Sequence, residues 1–417
     1  MSSRKRDGGL ASGFARFWWG EAVSGFGSGI TLLALQTLVV VTLRGTAAEV
    51  GWLNSARWLP YLVLGLVVGA LVDRARRRPL MVSTDLIRAA LLTLIPLAWS
   101  LHRLTFALLL VLVIVFGTAS LINDAASQSF VPRLVPRARL QRAHARLDSA
   151  DAVAQTAGPA VAGALIRVFG APLAVLVDAL TFVFSAAMTA TLRHVADPTP
   201  ERPAGKGLRA LVRDVRDGVG WVYGESGLGR LAAATHVWFA AQAVLVVVLP
   251  AYAFLQLQLS AFQLGLVLAV GGVGALVGAV VSTALGERLG TGGTIICSHA
   301  VSAAGVGVMI VAGLLNAWVW AAAAVLAAGQ LCHGWAMGIS NSHEMSYRQA
   351  LTPDALQART NTTMRSLNRA VLVVVSPVAG LAADRVGFGQ TLGAAGVIFC
   401  ISALILTLSP FRRARVA

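Results

Sequence analysis

A chain of 417 residues that is 57% hydrophobic and only 12% charged, with a mean hydropathy of +0.74, lacks the composition of a soluble domain, where about a quarter of residues carry charge. A formal net charge of +16 raises nucleic-acid binding, but the Lys and Arg residues lie between apolar runs rather than along one face, which favours a role in membrane topology. Cys297, Cys332 and Cys400 sit inside apolar runs without C-x-x-C spacing, so neither a disulfide framework nor a metal site is expected, and no cofactor.

A bilayer-spanning helix needs about 20 mostly apolar residues, and twelve such runs are predicted: 16–43, 48–72, 80–101, 104–128, 147–168, 171–193, 228–254, 262–285, 293–315, 318–343, 360–384 and 390–410. The first is too long for a cleavable leader and is followed by many more, so no signal peptide is expected. It carries Glu21. The second ends in "GALVDRARRRPL", with Asp73 and four arginines in six residues. The fourth holds Asn123 and Asp124, and the fifth holds Gly158, Pro159 and Gly163. Residues 194–227 open with the turn-rich "DPTPERPAGKG". There Leu208, Leu211, Val212, Val215 and Val219 recur at helical spacing among charges, as in an amphipathic helix lying on a membrane surface. The seventh run carries His236, Trp238 and Gln242, and the tenth His333. In the eighth, Gly274 and Gly278 stand four apart, a spacing that lets helices approach closely.

With a cytoplasmic N-terminus, 26 of the 34 Lys and Arg residues fall inside, four outside and four within helices. That is a strong positive-inside bias, and it places both termini in the cytoplasm. The halves are related. Gly117–Gly163 aligns without gaps on Gly334–Gly380 (334 − 117 = 217), pairing Pro136 with Pro353 and Arg142 with Arg359. The expected domains are therefore a six-helix bundle over 1–193, a linker with its helix over 194–227, and a second bundle over 228–417.

Gly69, Leu71, Asp73, Arg74, Arg77 and Arg78 match the pattern G-x-L-x-D-R-x-G-R-R/K, with Arg76 at the loop glycine. This resembles the major facilitator superfamily, and the likeness covers nearly the whole chain. "TDLIRA" (84–89), "SFVPRLVPRARLQRAHARLDSA" (129–150) and "VDALTFVFSA" (177–186) resemble its enterobactin-exporter-like and macrolide-efflux branch. "GPAVAG" (158–163) resembles the antiporter motif of helix 5. The fourth run lacks the arginine that many drug–proton antiporters carry there.

The resemblance implies an all-α membrane protein whose twelve transmembrane helices form two pseudo-symmetric six-helix bundles, the major facilitator fold. It implies a cytoplasmic gating latch of Asp73, Arg77, Asp124 and Gly69, with Asp73 facing the start of helix 11 and Arg77 pairing with Asp124. It implies an interdomain bend at Gly158, Pro159 and Gly163, and substrate-cavity candidates Asn123, His236, Trp238, Gln242 and His333. Ionisable groups within a bilayer are functional candidates by default. Glu21 is accordingly the proton-coupling candidate, against a structural role beside Arg88. Asp178 and Arg88 read as structural partners.

The expected function is secondary export of an amphipathic small molecule (drug, antibiotic or siderophore-like) by alternating access with proton antiport. An importer or uniporter, or a non-transporting receptor, is the alternative. The chain shows no catalytic constellation. Its expected partners are the small-molecule substrate, protons and membrane lipids, with no nucleic acid, and its expected setting is a bacterial inner membrane as a monomer.

Overall fold

The structure is a computed structural model. It describes residues 2–72, 75–192, 213, 216–225 and 227–415, without the side chains of residues 2–12, 66, 69–71, 137, 225, 354, 355 and 358. The predicted amphipathic helix falls largely outside these residues. The described chain is helical, without a strand. In order the helices are α1 (Ser2–Thr37), α2 (Ala47–Val72), α3 (Arg77–Ser100), α4 (Phe106–Leu134), α5 (Leu140–Phe169), α6 (Ala171–Ala190) and α7 (Gly229–Ala251). Ala261–Val311 follows as one hydrogen-bonded run that breaks at Gly290, whose φ of 71° lies in the left-handed region open to glycine. The limbs before and after Gly290 are α8 and α9. Then come α10 (Val319–Leu351), α11 (Asp354–Val386) and α12 (Phe388–Thr407).

Ten helical stretches among the described residues are long and apolar enough to cross a membrane, with the α8–α9 run as one of them and α2 not included. Dividing that run and adding α2 gives twelve helices among the described residues, as many as the sequence predicts. Large apolar side chains such as Val63, Leu180, Val280 and Val374 point outward, as lipid contact requires.

The structure corrects several predicted ends. α4 continues to Leu134, α5 starts at Leu140 and α10 runs on to Leu351. Hydropathy marks only the membrane-embedded part of a helix, whereas backbone hydrogen bonding continues into polar sequence. "PDAL" and "PRAR" restart the chain because proline favours the first helical turns.

The described residues fall into two compact units. In the first, which takes the chain up to Leu38 and again from Ala56 through α6, α1 packs on α5 and α6, and α3 packs on α4 and α6. Gly29 and Gly158 permit the α1–α5 contact: a Cβ on Gly29 would lie 3.3 Å from the Ala154 carbonyl oxygen. Phe17 meets Phe130 at 6.1 Å between ring centroids, and Phe116 meets Phe182 at 5.8 Å.

The second unit takes Val39–Ser55 and the chain from α7 onward. Its tightest seam joins α8 to α10. A Cβ on Gly274, Gly278, Gly334 or Gly338 would strike the backbone carbonyl of Leu331, Trp335, Gly271 or Ala275 respectively. Val39–Ser55 joins this unit through α11. The Asp384 carboxylate accepts from the amides of Ala47 (3.1 Å) and Ala48 (2.9 Å), and Asn54 donates to Ser376 Oγ at 2.8 Å. A helix start has free N–H groups and a partial positive charge, which an aspartate satisfies.

Candidate functional site

In the first unit α1, α3, α4 and α5 enclose a cavity of about 390 Å³. Glu21, Asp124, Asp148 and Asp151 line it, with Arg88 as the cation. Arg88 is already engaged. It pairs with Asp85 one turn earlier on α3 and lies over the Phe182 ring, 4.1 Å from the centroid. Its direct pair is thus Asp85, and its charge also acts on the Asp178 and Glu21 considered from sequence. Asp178 is fully buried and accepts from Thr181 at 2.9 Å.

Asn123 is drawn into the same cluster. Its amide nitrogen donates to Asp85 Oδ1 (3.1 Å), Thr84 Oγ1 (2.9 Å) and the Met81 carbonyl (3.2 Å). An amide NH₂ has two hydrogens, so this group is saturated and acts as a strut in the cavity wall. Glu21 keeps a hydroxyl partner in Ser127 on α4. The cavity therefore presents carboxylates whose charge the Asp85–Arg88 pair does not offset.

The latch residues are only partly described. Asp73 lies outside the described residues, as does the environment of Gly69. Arg77 opens α3 and is buried, with Nε and Nη1 lacking partners among the described residues. No ion pair joins it to Asp124. That carboxylate accepts instead from the Tyr61 hydroxyl at 2.7 Å, and Asp124 stands well inside α4, not at its end. In α5, Gly158 meets Gly29 within the first unit, and the helix continues through Pro159 and the buried Gly163.

In the second unit Trp238 stacks on His333, with ring centroids 6.1 Å apart and planes 15° apart. His333 Nε2 lies 2.9 Å from Gln242 Oε1, an acceptor, so Nε2 carries the hydrogen. Its Nδ1 is left buried without a partner, as is the Trp238 indole nitrogen. These three cavity candidates thus form one cluster. His236 belongs to another, between Asn368 (2.6 Å to Nδ1) and Tyr223, whose hydroxyl meets Nε2. Burial pushes the Tyr223 phenol up from its ordinary value, which keeps it a donor.

Three residues that the sequence reading passed over prove central here. His299 on α9 and Glu344 on α10 face each other with 3.6 Å between Nε2 and Oε1. The run ending at 343 left Glu344 just outside a predicted helix. Its signal was an acid one residue past an apolar run that continues helically through "HEMSYRQAL". Asp384 is the third. Gly380, Ala382, Asp384, Arg385 and Gly387 repeat the G-x-L-x-D-R-x-G spacing of the 2–3 loop, with alanine for leucine. Among the described residues no group of three or more His, Cys, Asp or Glu side chains is placed to hold a metal ion.

The family model described as Major Facilitator Superfamily matches residues 17–372. The chain belongs to the Major Facilitator Superfamily. Within it, macrolide efflux protein A of Streptococcus pyogenes is 26% identical over 180 residues, which is 43% of this chain and 44% of that protein. Multidrug efflux pump Tap of Mycolicibacterium fortuitum is 27% identical over 184 residues, covering 43% and 45%. The matches thus span less than half the length of these curated relatives. The fold is shared more widely. A bacterial homologue of the iron transporter ferroportin, solved in an inward-facing state, superimposes with a TM-score of 0.76 at 16% identity, covering 95% of this chain and 99% of that one. The nucleoside transporter NupG gives 0.73 at 11% identity, with the same coverage. At such identities the likeness shows the fold alone, and nothing about cargo follows.

Proposed function

We propose that this superfamily member is a secondary exporter of amphipathic small molecules that carry a basic nitrogen, working by alternating access and driven by proton antiport. The observation that carries the reading is the acid-rich cavity of the first unit, whose single guanidinium is neutralised by Asp85. Such a wall attracts a cation, and the surrounding helices supply apolar contact. The likeness to proteins named for macrolide and multidrug efflux supports export.

In this reading Glu21 exchanges the proton, because an ionisable group within a membrane is retained for function. Asp73, Gly69 and Arg77 form the cytoplasmic latch, and Asp124 acts through Tyr61. Trp238, Gln242 and His333 line the route in the second unit. The protein acts as a monomer in a bacterial inner membrane with both termini in the cytoplasm, residues 194–227 joining the bundles and Gly158, Pro159 and Gly163 forming the interdomain bend of α5.

The test is a proteoliposome assay with an imposed pH gradient, using erythromycin and ethidium as probes. Wild type is expected to move at least one of them against its gradient, and Glu21→Gln to lose that accumulation. Gradient-driven accumulation unchanged in Glu21→Gln removes Glu21 from the mechanism. Movement of neither probe by wild type removes the exporter assignment.

A further inference from the structure

The hydrogen-bond pattern around His299 fixes where hydrogens must sit. Ser402 Oγ donates to the Ala234 carbonyl at 2.7 Å, and His299 Nδ1 lies 2.9 Å from Ser402 Oγ. A hydroxyl has one hydrogen. With it engaged by Ala234, Ser402 can only accept from the ring, so Nδ1 carries a hydrogen. On the other side Ser340 Oγ is 2.8 Å from Glu344 Oε1 and 3.4 Å from His299 Nε2. Glu344 Oε2 accepts from Thr235 at 2.9 Å.

Ser340 therefore has two consistent orientations. If its hydrogen points to Glu344, the carboxylate is ionised, and Nε2 faces only oxygen lone pairs and carries a hydrogen. If its hydrogen points to Nε2, the ring accepts there, and Glu344 Oε1 carries a hydrogen donated to Ser340 Oγ. The two arrangements differ by one proton moved between Nε2 and Oε1. Ser340 gives up one hydrogen and takes another, so atoms and charge balance.

Burial sets a direction. His299 and Ser402 are 0% exposed and Ser340 and Thr235 are 4% exposed, whereas the Glu344 side chain is 18% exposed. Glu344 is the open end of a closed chain. We propose that Ser340 relays a proton between the accessible Glu344 and the sealed His299, making this cluster a proton-exchange site of the second unit. The repeat lends it a parallel. Position 344 corresponds to 127 (344 − 217), and Ser127 on α4 is the hydroxyl that Glu21 of α1 contacts. In the second unit the acid is on α10 and the hydroxyl, Thr235, on α7. Other charged or titratable groups around Glu344 are Arg348 on its own helix, which Arg365 of α11 also influences, and His236 on α7. His343 is turned to the Ser282 carbonyl on α8.

The test has two arms, and only the second rests on the proton-antiport reading. In the first, ¹⁵N-histidine NMR is recorded on the full chain in nanodiscs, with His299 assigned by His299→Gln. Nδ1 is expected to show the one-bond coupling of a protonated nitrogen. The Nε2 signal is expected to shift in Ser340→Ala and in Glu344→Gln, with Ser340→Thr restoring it. An Nδ1 without a hydrogen in wild type, or an Nε2 signal unmoved in both variants, overturns the relay. In the second, proteoliposomes carry erythromycin under a pH gradient or in equilibrium exchange. Ser340→Ala is expected to lose gradient-driven movement about tenfold more than exchange. Equal losses overturn its link to transport. Wild-type protein that moves no probe refutes the exporter reading instead, and the first arm still decides the relay.

Discussion

Asp85 and Arg88 show how a buried charge pair disciplines its surroundings. Both side chains are more than nine-tenths buried, and Asn123 donates to the Asp85 carboxylate at 3.1 Å. Removing one partner of such a pair costs about 3–5 kcal/mol, whereas replacing both can be close to neutral. Arg88→Met is therefore expected to lower the midpoint of thermal unfolding in detergent markedly, and Arg88→Met with Asp85→Asn to recover most of the loss. A double variant as unstable as the single one would show that Arg88 acts through Phe182 packing. The single residues were legible to different degrees. Glu21 stood out as an acid in an apolar run. The importance of His299 was not legible, because it comes from hydroxyls on α10 and α12 that lie 41 and 103 positions away in sequence.

At the scale of elements, the α8–α10 seam was half visible. Gly274 and Gly278 at a four-residue spacing announced a close contact, but not its partner. The structure supplies it in Gly334 and Gly338, which reciprocate against Gly271 and Ala275. Overpacking such a contact costs about 1–3 kcal/mol. Gly334→Val is expected to destabilise by at least that much in urea or thermal unfolding, because its Cβ meets backbone that cannot swing away. Gly307→Ala, where nothing lies within 4 Å, is the control and is expected to be neutral or slightly stabilising. The same logic of element ends applies to Asp384, which caps the start of α2. Loss of a helix cap costs about 0.5–2 kcal/mol, so Asp384→Ala is expected to lower the unfolding midpoint, and Asp384→Asn, which offers one acceptor oxygen to the two amides, to lower it less. An Asp384→Ala midpoint equal to that of wild type would remove the cap.

Across the whole molecule, the repeat was legible from a constant offset, and the structure gives it physical meaning. Gly117 and Gly334 are 217 apart and do the same work in their own units, Gly117 against the Arg57 carbonyl of α2 and Gly334 against that of Gly271 on α8. Orientation in the bilayer rests on different physics, the asymmetry of Lys and Arg between the two ends of the helices. That asymmetry is testable without any substrate. In a background where Cys297, Cys332 and Cys400 are replaced, single cysteines at Arg103 and Pro136 lie in exposed turns on opposite sides of α4. A membrane-impermeant maleimide added to intact spheroplasts is expected to label the cysteine at 103 and to reach the one at 136 only after permeabilisation. The reverse pattern would invert the bundle. The arginine-rich 2–3 loop would then face outward, and the proposed inner latch and the proposed export direction would both fall.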